Sequence, residues 1–360
     1  CIRDRALGGA VQNTLIGGDD GANVAVDENG VEMSSDGDGD FDARNIISGN
    51  AGVGVSIFGE QVTLNRVEGN WIGLGADGMT GLANQTGVTI DFPIGTTASE
   101  AASDNTIGGT TAGSGNVISS NRSDGVQIIN GAHDNKVLGN FIGTDPSGEV
   151  IEQQLGNREN GIFILDSDDN IIGGTEDLER NVIAGNLRHG VLIANLNTTL
   201  ETTGNQVVGN FIGGRLDAEG NAGVGNDFDG VHIAGASNTI IGGDVEEAGN
   251  VISSNFGSGI VISGVNAKDN QVLRNFIGSA NDGETEAGNG DYGILITKSA
   301  SNNKIGDGTG NAEDNNGNVI AFNGSALGNA GYGIQVESDS SDSSLQSTGN
   351  EIRQNQIFSN

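Results

Sequence analysis

Arg188, His189, Asp229 and Asp124 are the residues whose types and spacing could carry acid/base chemistry. His189, Asp229 and Asp124 each stand directly before a glycine that opens a short apolar string, and Arg188 precedes His189. A histidine exchanges protons near neutral pH, a carboxylate orients it, and an arginine binds carboxylates. If these glycines lie on neighbouring turns of one fold, the four side chains are candidate catalytic residues acting on a uronic-acid polymer.

A second candidate site is an acidic segment near the start of the chain. Asp36, Asp38, Asp40 and Asp42 occupy alternate positions, as in the first half of an EF-hand-type calcium loop. The twelfth position, where such a loop has a bidentate glutamate, is Ile47. Two interpretations stay open: a site for calcium, for which magnesium would give the same pattern, and a solvated acidic loop without metal.

The elements that must position these residues are repeats. The segment 135–143, NKVLGNFIG, returns as NRVEGNWIG at 65–73, NQVVGNFIG at 205–213 and NQVLRNFIG at 270–278. A fixed period of this kind indicates stacked structural units rather than one globular core.

Three short apolar strings recur in a fixed order. The first begins at Asn13, Asn65, Asn105, Asn135, Asn170, Asn205, Asn238, Asn270, Asn303 and Asn350. The second begins at Asn45, Asn70, Asn116, Asn140, Asn181, Asn210, Asn250, Asn275, Asn318 and Asn355. The third begins at Gly54, Gly87, Gly125, Gly161, Gly190, Gly230, Gly259, Gly293 and Gly333.

These strings predict an all-β fold, a single-stranded parallel β-helix of about ten coils with three short strands each. Alternation predicts that Val126 and Ile128 point inward and Gln127 outward. The asparagine that opens a string is expected at a corner, where its amide can bond the coils above and below.

The repeats cover nearly the whole chain and predict one elongated domain, 1–360. A first coil with a large acidic insertion covers 13–64, regular alternating coils cover 65–302, and irregular last coils cover 303–360. The chain begins at Cys1 without an initiator methionine or a signal-like segment, which favours a piece of a longer protein.

The pattern resembles the right-handed parallel β-helix superfamily that includes pectate lyases, polygalacturonases and alginate epimerases. It is most similar to bacterial surface proteins with repeated asparagine- and glycine-rich motifs, which 105–121 (NTIGGTTAGSGNVISSN) and 139–148 (GNFIGTDPSG) match. The catalytic signatures of those enzymes are incomplete here: the epimerase motif lacks its Tyr and His around Asp145-Pro146. The resemblance therefore implies the fold more strongly than an activity.

The composition narrows the possible partners. The net charge of −33 disfavours nucleic acid and anionic membranes and attracts divalent cations. No apolar run is long enough to span a bilayer. We expect no nucleic-acid partner, no membrane insertion, and an extracellular or cell-surface location.

Outward positions of the third string form an apolar stripe where a solvated face would be polar. They are Phe163, Leu192, His232, Val261 and Leu295. Such a stripe is either covered by loops or meets another molecule, and loop cover is the interpretation we favour. Within it, His232 is expected to be a packed or half-exposed histidine rather than a ligand.

Two hypotheses for the function follow. The favoured one is a non-catalytic extracellular β-helix, an adhesin, spacer or filament subunit that associates with itself through its ends or with surface proteins or glycans. The alternative is a calcium-dependent lyase, hydrolase or epimerase of acidic polysaccharide, or an attachment module that binds a glycan without cleaving it.

Overall fold

The chain forms a parallel β-helix, described from a computed structural model. The described residues are 12–17, 44–92, 101–148, 155–197, 200, 202–214, 223–306, 317–324, 331–338 and 346–360. Within them, three parallel sheets of ten, ten and nine strands run the length of the repeats, and each strand pairs with the equivalent strand one coil away. The predicted fold of about ten coils is confirmed. None of the helices in these ranges has the length and apolar character that crossing a membrane requires.

The first sheet contains β1 Leu15–Gly17, β4 Arg66–Glu68, β7 Thr106–Gly108, β10 Lys136–Leu138, β13 Ile171–Gly173, β16 Gln206–Val208, β19 Ile240–Gly242, β22 Gln271–Leu273, β25 Lys304–Ile305 and β28 Glu351–Ile352. The second contains β2 Ile46–Ile47, β5 Trp71–Ile72, β8 Val117–Ile118, β11 Phe141–Ile142, β14 Val182–Ile183, β17 Phe211–Gly213, β20 Val251–Ser253, β23 Phe276–Ile277, β26 Val319–Ala321 and β29 Gln356–Phe358. The third contains β3 Val55–Phe58, β6 Val88–Asp91, β9 Val126–Ile129, β12 Ile162–Leu165, β15 Val191–Ala194, β18 Val231–Ala234, β21 Ile260–Ser263, β24 Ile294–Thr297 and β27 Ile334–Val336. In the described part of the chain, two 3-10 helices, Asp177–Glu179 and Glu246–Ala248, lie in loops.

The core is a narrow column of isoleucine and valine inside the coils. In β9, Val126 and Ile128 are fully buried while Gln127 faces outward, as the alternation predicts. The pairing of β9 with β12 sets Val126 opposite Ile162 and Ile128 opposite Ile164, so like residues stack on like residues. Burial of this column is the main stabilising contribution to the fold.

Asparagine rows stabilise the corners, as the sequence predicts. In the row that opens the second sheet, each side-chain Nδ2 donates to the Oδ1 of the asparagine one coil further on, at 2.8–3.0 Å, from Asn45 through Asn355. A similar row, which we did not predict, follows the second sheet and runs from Asn50 through Asn360. Nearly all of these side chains are buried, and the shared bonds offset the cost of burying an amide.

The row that opens the first sheet corrects two predictions. Asn13 and Asn238 precede the row by one residue, and Thr14 and Thr239 occupy the row position instead. Each donates its backbone N–H to the asparagine Oδ1 of the next coil but supplies no amide of its own. The side-chain hydroxyl of Thr239 is buried without a hydrogen-bond partner.

The physical reason is that the corner has a second special position, immediately before the row. Its residue has a left-handed backbone with φ between 50° and 70°. Asparagine, aspartate and glycine tolerate this conformation, so an asparagine there does not identify the row. The residues concerned are Asn13, Leu64, Asp104, Asp134, Asp169, Gly204, Asn238, Asp269, Asn302 and Gly349.

Candidate functional site

The candidate site lies on the short arc between the unpredicted asparagine row and the third sheet. We call this the corner arc; on five successive coils it comprises 122–124, 158–160, 187–189, 227–229 and 256–258. The asparagine before each segment belongs to the row from Asn50 to Asn360, and the glycine after it opens a strand of the third sheet. The repeat thus anchors both ends and leaves the residues between them free to vary.

Close packing keeps neighbouring arcs in register. The Phe228 N–H donates to the Arg188 carbonyl at 3.1 Å, and the Gly190 N–H donates to the Asp229 carbonyl at 3.0 Å. A Cβ on Gly190 would lie 2.7 Å from the Gly230 carbonyl oxygen, so only glycine fits here. The glycines that follow His189 and Asp229 are therefore structural, and they bring the two side chains onto adjacent coils.

The last arc position forms a fourth row of corner residues, which we call the mixed row: Asp124, Asn160, His189, Asp229 and Ser258. The Asn160 N–H donates to Asp124 Oδ1 at 2.9 Å, and the Ser258 N–H donates to Asp229 Oδ1 at 2.9 Å. Between them, the Asp229 N–H points at His189 Nδ1 at 3.3 Å. The first four side chains in this row accept from the backbone of the following coil, the reverse of the asparagine rows.

Two imidazoles converge on the second oxygen of Asp229. Asp229 Oδ2 lies 3.3 Å from His189 Nδ1 and 3.2 Å from His232 Nδ1. The two rings meet edge to face with centroids 4.9 Å apart. The other nitrogen of His232, Nε2, lies 2.9 Å from the Ser263 hydroxyl. Only 12–20% of each of the three side chains is exposed, which places the cluster just below the surface.

The electrostatics keep Asp229 ionised. Burial raises the pKa of its carboxyl, but the His189 and His232 imidazoles lower that pKa by more, to well below the usual 3.8. At neutral pH the cluster therefore contains a largely buried carboxylate facing two histidines, an arrangement suited to proton transfer or to binding a cation.

Arg188 lies at the edge of this cluster. Its guanidinium forms an ion pair with Glu159 at 3.0 Å and lies 5.8 Å from the Phe228 ring. His189 contacts the same ring, with centroids 5.5 Å apart. Three of the four candidate catalytic residues, Arg188, His189 and Asp229, therefore belong to one patch.

Asp124 lies two coils away in the same row and is not part of the patch. Its Oδ1 accepts from both the backbone and the side chain of Asn160, and its Oδ2 accepts from Gln127 at 2.6 Å. It is 3% exposed and fully hydrogen-bonded. These contacts are those of a structural carboxylate.

The predicted calcium ligands Asp36, Asp38, Asp40 and Asp42 lie outside the described residues. The residue that sequence reasoning missed is His232. The five residues of the apolar stripe are half-buried or buried, and one of them, His232, faces the Asp229 carboxylate. The available signal was its spacing: His232 follows Asp229 by three residues, as Gln127 follows Asp124.

Comparisons with known proteins show similarity in fold alone. No family model matches the sequence, and no curated protein matches it. Two solved structures are similar in fold. One is a mutant of the periplasmic alginate epimerase AlgG, at 16% identity and a TM-score of 0.46, covering 84% of this chain. The other is the A-module of the Azotobacter vinelandii mannuronan C-5 epimerase AlgE4, at 15% identity and a TM-score of 0.32, covering 88% of this chain and 86% of that one.

This chain spans 62% of the length of the AlgG structure. At such identities the likeness concerns the fold alone. The strand order and the coil-to-coil register make the chain a parallel β-helix.

Proposed function

We propose that the protein binds an acidic polysaccharide along the corner arc and modifies it by proton transfer at the His189–Asp229–His232 cluster. The observation that supports this most is the convergence of two imidazoles on one largely buried carboxylate beside an exposed arginine. This is the alternative hypothesis of the sequence analysis, with His232 added and Asp124 removed.

The exposed arginines of the arc favour an anionic ligand. Arg122, Arg158 and Arg188 are exposed on three successive coils of a chain whose net charge is −33. Successive coils are separated by about 4.8 Å, the spacing of paired strands. A guanidinium binds a carboxylate through two parallel hydrogen bonds, so this row suits a polymer with a carboxylate on each sugar.

The aromatic residues of the arc continue the same line. Phe228 and Phe256 on the arc are 49% and 53% exposed, and beyond the arc Tyr332 and Tyr292, each directly before the glycine of a later coil, stack with centroids 6.0 Å apart. Exposed rings beside charged groups offer apolar faces on which sugar rings can stack. Among the described residues, two of the exposed aromatics, Phe228 and Phe256, lie on this arc.

The chemistry that fits these groups is removal of a proton next to a carboxylate. Arg188 neutralises the carboxylate of the sugar, which makes the adjacent C–H more acidic, and an imidazole of the cluster accepts the proton. Asp229 holds both rings in place. Delivery of a proton from water to the opposite face gives epimerisation. Breaking of the neighbouring C–O bond, with formation of a C=C bond and protonation of the leaving oxygen by water, gives elimination. Such a function implies a secreted or cell-surface location.

The test is incubation of the purified protein with pectate, alginate and related polyuronates, with and without Ca²⁺ or Zn²⁺. Proton NMR detects epimerisation, ultraviolet absorbance detects the unsaturated product of elimination, and reducing-end assays detect hydrolysis. His189→Ala is expected to lower turnover at least ~100-fold, and Arg188→Ala to raise KM.

Arg66→Ala is the matched control, because Arg66 is similarly exposed and forms an ion pair, with Glu68 at 3.2 Å, away from the arc. Full turnover in His189→Ala would contradict the proposal. Absence of both turnover and binding with every polyuronate would favour the structural spacer or filament instead, and negative-stain microscopy of the purified rods would then show whether they associate end to end.

A further inference from the structure

We propose that His189, Asp229 and His232 form a binding site for one divalent transition-metal ion of the Zn²⁺ class. This site is distinct in position and chemistry from the acidic segment that the sequence suggested for calcium. It also stands independently of any polysaccharide chemistry, since it follows from the three side chains alone.

The first argument is the excess of lone pairs at the centre of the cluster. In the neutral form of His189, the Nδ1 lone pair faces the Asp229 N–H at 3.3 Å, and Asp229 Oδ2 lies 3.3 Å from the same nitrogen. His232 Nδ1 is buried and makes no hydrogen bond within the described residues, although Asp229 Oδ2 lies 3.2 Å away. Two ring nitrogens and a carboxylate oxygen thus face one another. A cation between them would give His232 Nδ1 the partner it lacks and would replace the 3.3 Å contact between His189 Nδ1 and the Asp229 N–H.

The second argument is geometry. A four-coordinate zinc ion with bonds of about 2.0–2.2 Å has neighbouring ligand atoms about 3.4 Å apart. The Nδ1 atoms of His189 and His232 lie 3.3 and 3.2 Å from Asp229 Oδ2, and one possible ligand atom from each of the three side chains lies within 4.8 Å of the other two. Small rotations of the two rings would complete the site.

The third argument is the set of partners behind the ligands. His232 Nε2 lies 2.9 Å from the Ser263 hydroxyl, and Asp229 Oδ1 accepts from the Ser258 N–H at 2.9 Å. Such outer contacts fix the ring orientation of a ligand and leave one carboxylate oxygen for the metal.

The donor types select the metal. Calcium takes six to eight oxygen ligands, whereas this cluster offers two nitrogens and one oxygen. Imidazole with one carboxylate suits zinc, cobalt, nickel or copper, and three protein ligands leave a position open to solvent, as in catalytic zinc sites. Partial exposure of the cluster gives a bound ion access to water or to a ligand.

The test is Zn²⁺ titration of the apo-protein by calorimetry in excess millimolar Ca²⁺, which saturates weak carboxylate sites on this acidic chain. One equivalent of Zn²⁺ is expected to bind to the wild type. His232→Gln and Asp229→Asn are expected to weaken that binding at least ~100-fold, more than the loss of an outer contact costs. Co²⁺ should give the intense visible absorption of a four-coordinate ion.

His133→Ala is the control variant. His133 pairs with Asp134 at 2.7 Å on another corner and has no second imidazole beside it among the described residues, so its loss should leave binding unchanged. The chain has only three histidines, which makes imidazole NMR directly interpretable. Zn²⁺ should shift the resonances of His189 and His232 and spare those of His133.

The NMR result uses the wild-type chain and so does not depend on whether a variant folds. Equal Zn²⁺ binding by wild type and His232→Gln, or no shift at His189 and His232, would overturn the metal site. Because no polysaccharide enters these measurements, their failure is separate from failure of the proposed enzymatic function.

Discussion

The asparagine rows and the mixed row occupy similar corners of the same coils. They differ in whether one residue type repeats and in the direction of their hydrogen bonds along the axis. The row from Asn45 to Asn355 repeats one residue at every coil, and each amide bonds the next. The mixed row changes from Asp124 to Asn160 to His189 to Asp229, with the backbone of the following coil as donor. The first arrangement uses all its polar atoms for the fold.

The difference shows most clearly between Asp124 and Asp229. Both use Oδ1 to accept a backbone N–H or amide from the next coil. Asp124 Oδ2 accepts from the amide of Gln127, while Asp229 Oδ2 faces the imidazoles of His189 and His232. A carboxylate at this position is therefore structural when an amide lies beside it. When two imidazoles lie beside it, it is available for proton transfer or for binding a cation. Fold-determining rows should thus dominate stability, and the mixed row should dominate binding.

The largest expected effect is the loss of one member of an asparagine row. Asn140→Ala removes an Oδ1 that accepts from Asn116 and an Nδ2 that donates to Asn181, all fully buried. Orphaned buried donors and acceptors cost about 1–3 kcal/mol each, so we expect a loss of about 3 kcal/mol in the free energy of unfolding. Urea denaturation measures it. In the mixed row, Asp124→Asn keeps an acceptor for Asn160 and should cost less than about 1 kcal/mol; equal losses would remove the distinction.

The second-largest expected effect is a gain in stability when a missing asparagine is restored to a row. Thr239→Asn would restore the missing amide in the first row, giving Asn205 an acceptor and replacing a buried hydroxyl that has no partner. We expect a gain of about 1–2 kcal/mol by urea denaturation. Thr239→Val, which removes the hydroxyl without adding an amide, is the control. A gain in Thr239→Val as large as in Thr239→Asn would mean that the row itself adds nothing.

A smaller effect is expected at His189. His189→Asn supplies an amide oxygen to the Asp229 N–H, which now meets the imidazole at 3.3 Å, and it converts this coil toward an asparagine row. The free energy of unfolding should stay within about 1 kcal/mol of wild type or rise, while Zn²⁺ binding is lost. Calorimetry on folded protein of both forms tests this. A large loss of stability would show that the cluster is itself part of the framework.

The smallest effect concerns the left-handed position before the first row. Leu64 has φ of 59° there and is 52% exposed, so its side chain contributes little burial. Leu64→Asn should raise the free energy of unfolding by about 1 kcal/mol, because asparagine tolerates that backbone conformation. Asp134→Asn, at an equivalent position with φ of 54°, should change little. Thermal unfolding of the two variants gives the comparison.

The sequence predicted the framework because the framework repeats. Regular spacing of Asn and Gly identified the strands and the inward direction of Val126 and Ile128. It misassigned Asn13 and Asn238, since asparagine fits both the row and the left-handed position before it. The cluster could be predicted only in part: the row placed His189 near Asp229, but the orientation of His232 depends on side-chain packing that no repeat encodes.

The direction of the asparagine hydrogen bonds gives the β-helix an electrostatic polarity along its axis. In the row from Asn45 to Asn355 every amide donates toward the higher-numbered coil, so the side-chain dipoles align head to tail along the axis. Aligned hydrogen bonds polarise one another, which strengthens the interior of a chain more than its ends. The corners therefore act as cooperative dipole chains, and a defect at the middle of a row should weaken coils on both sides of it.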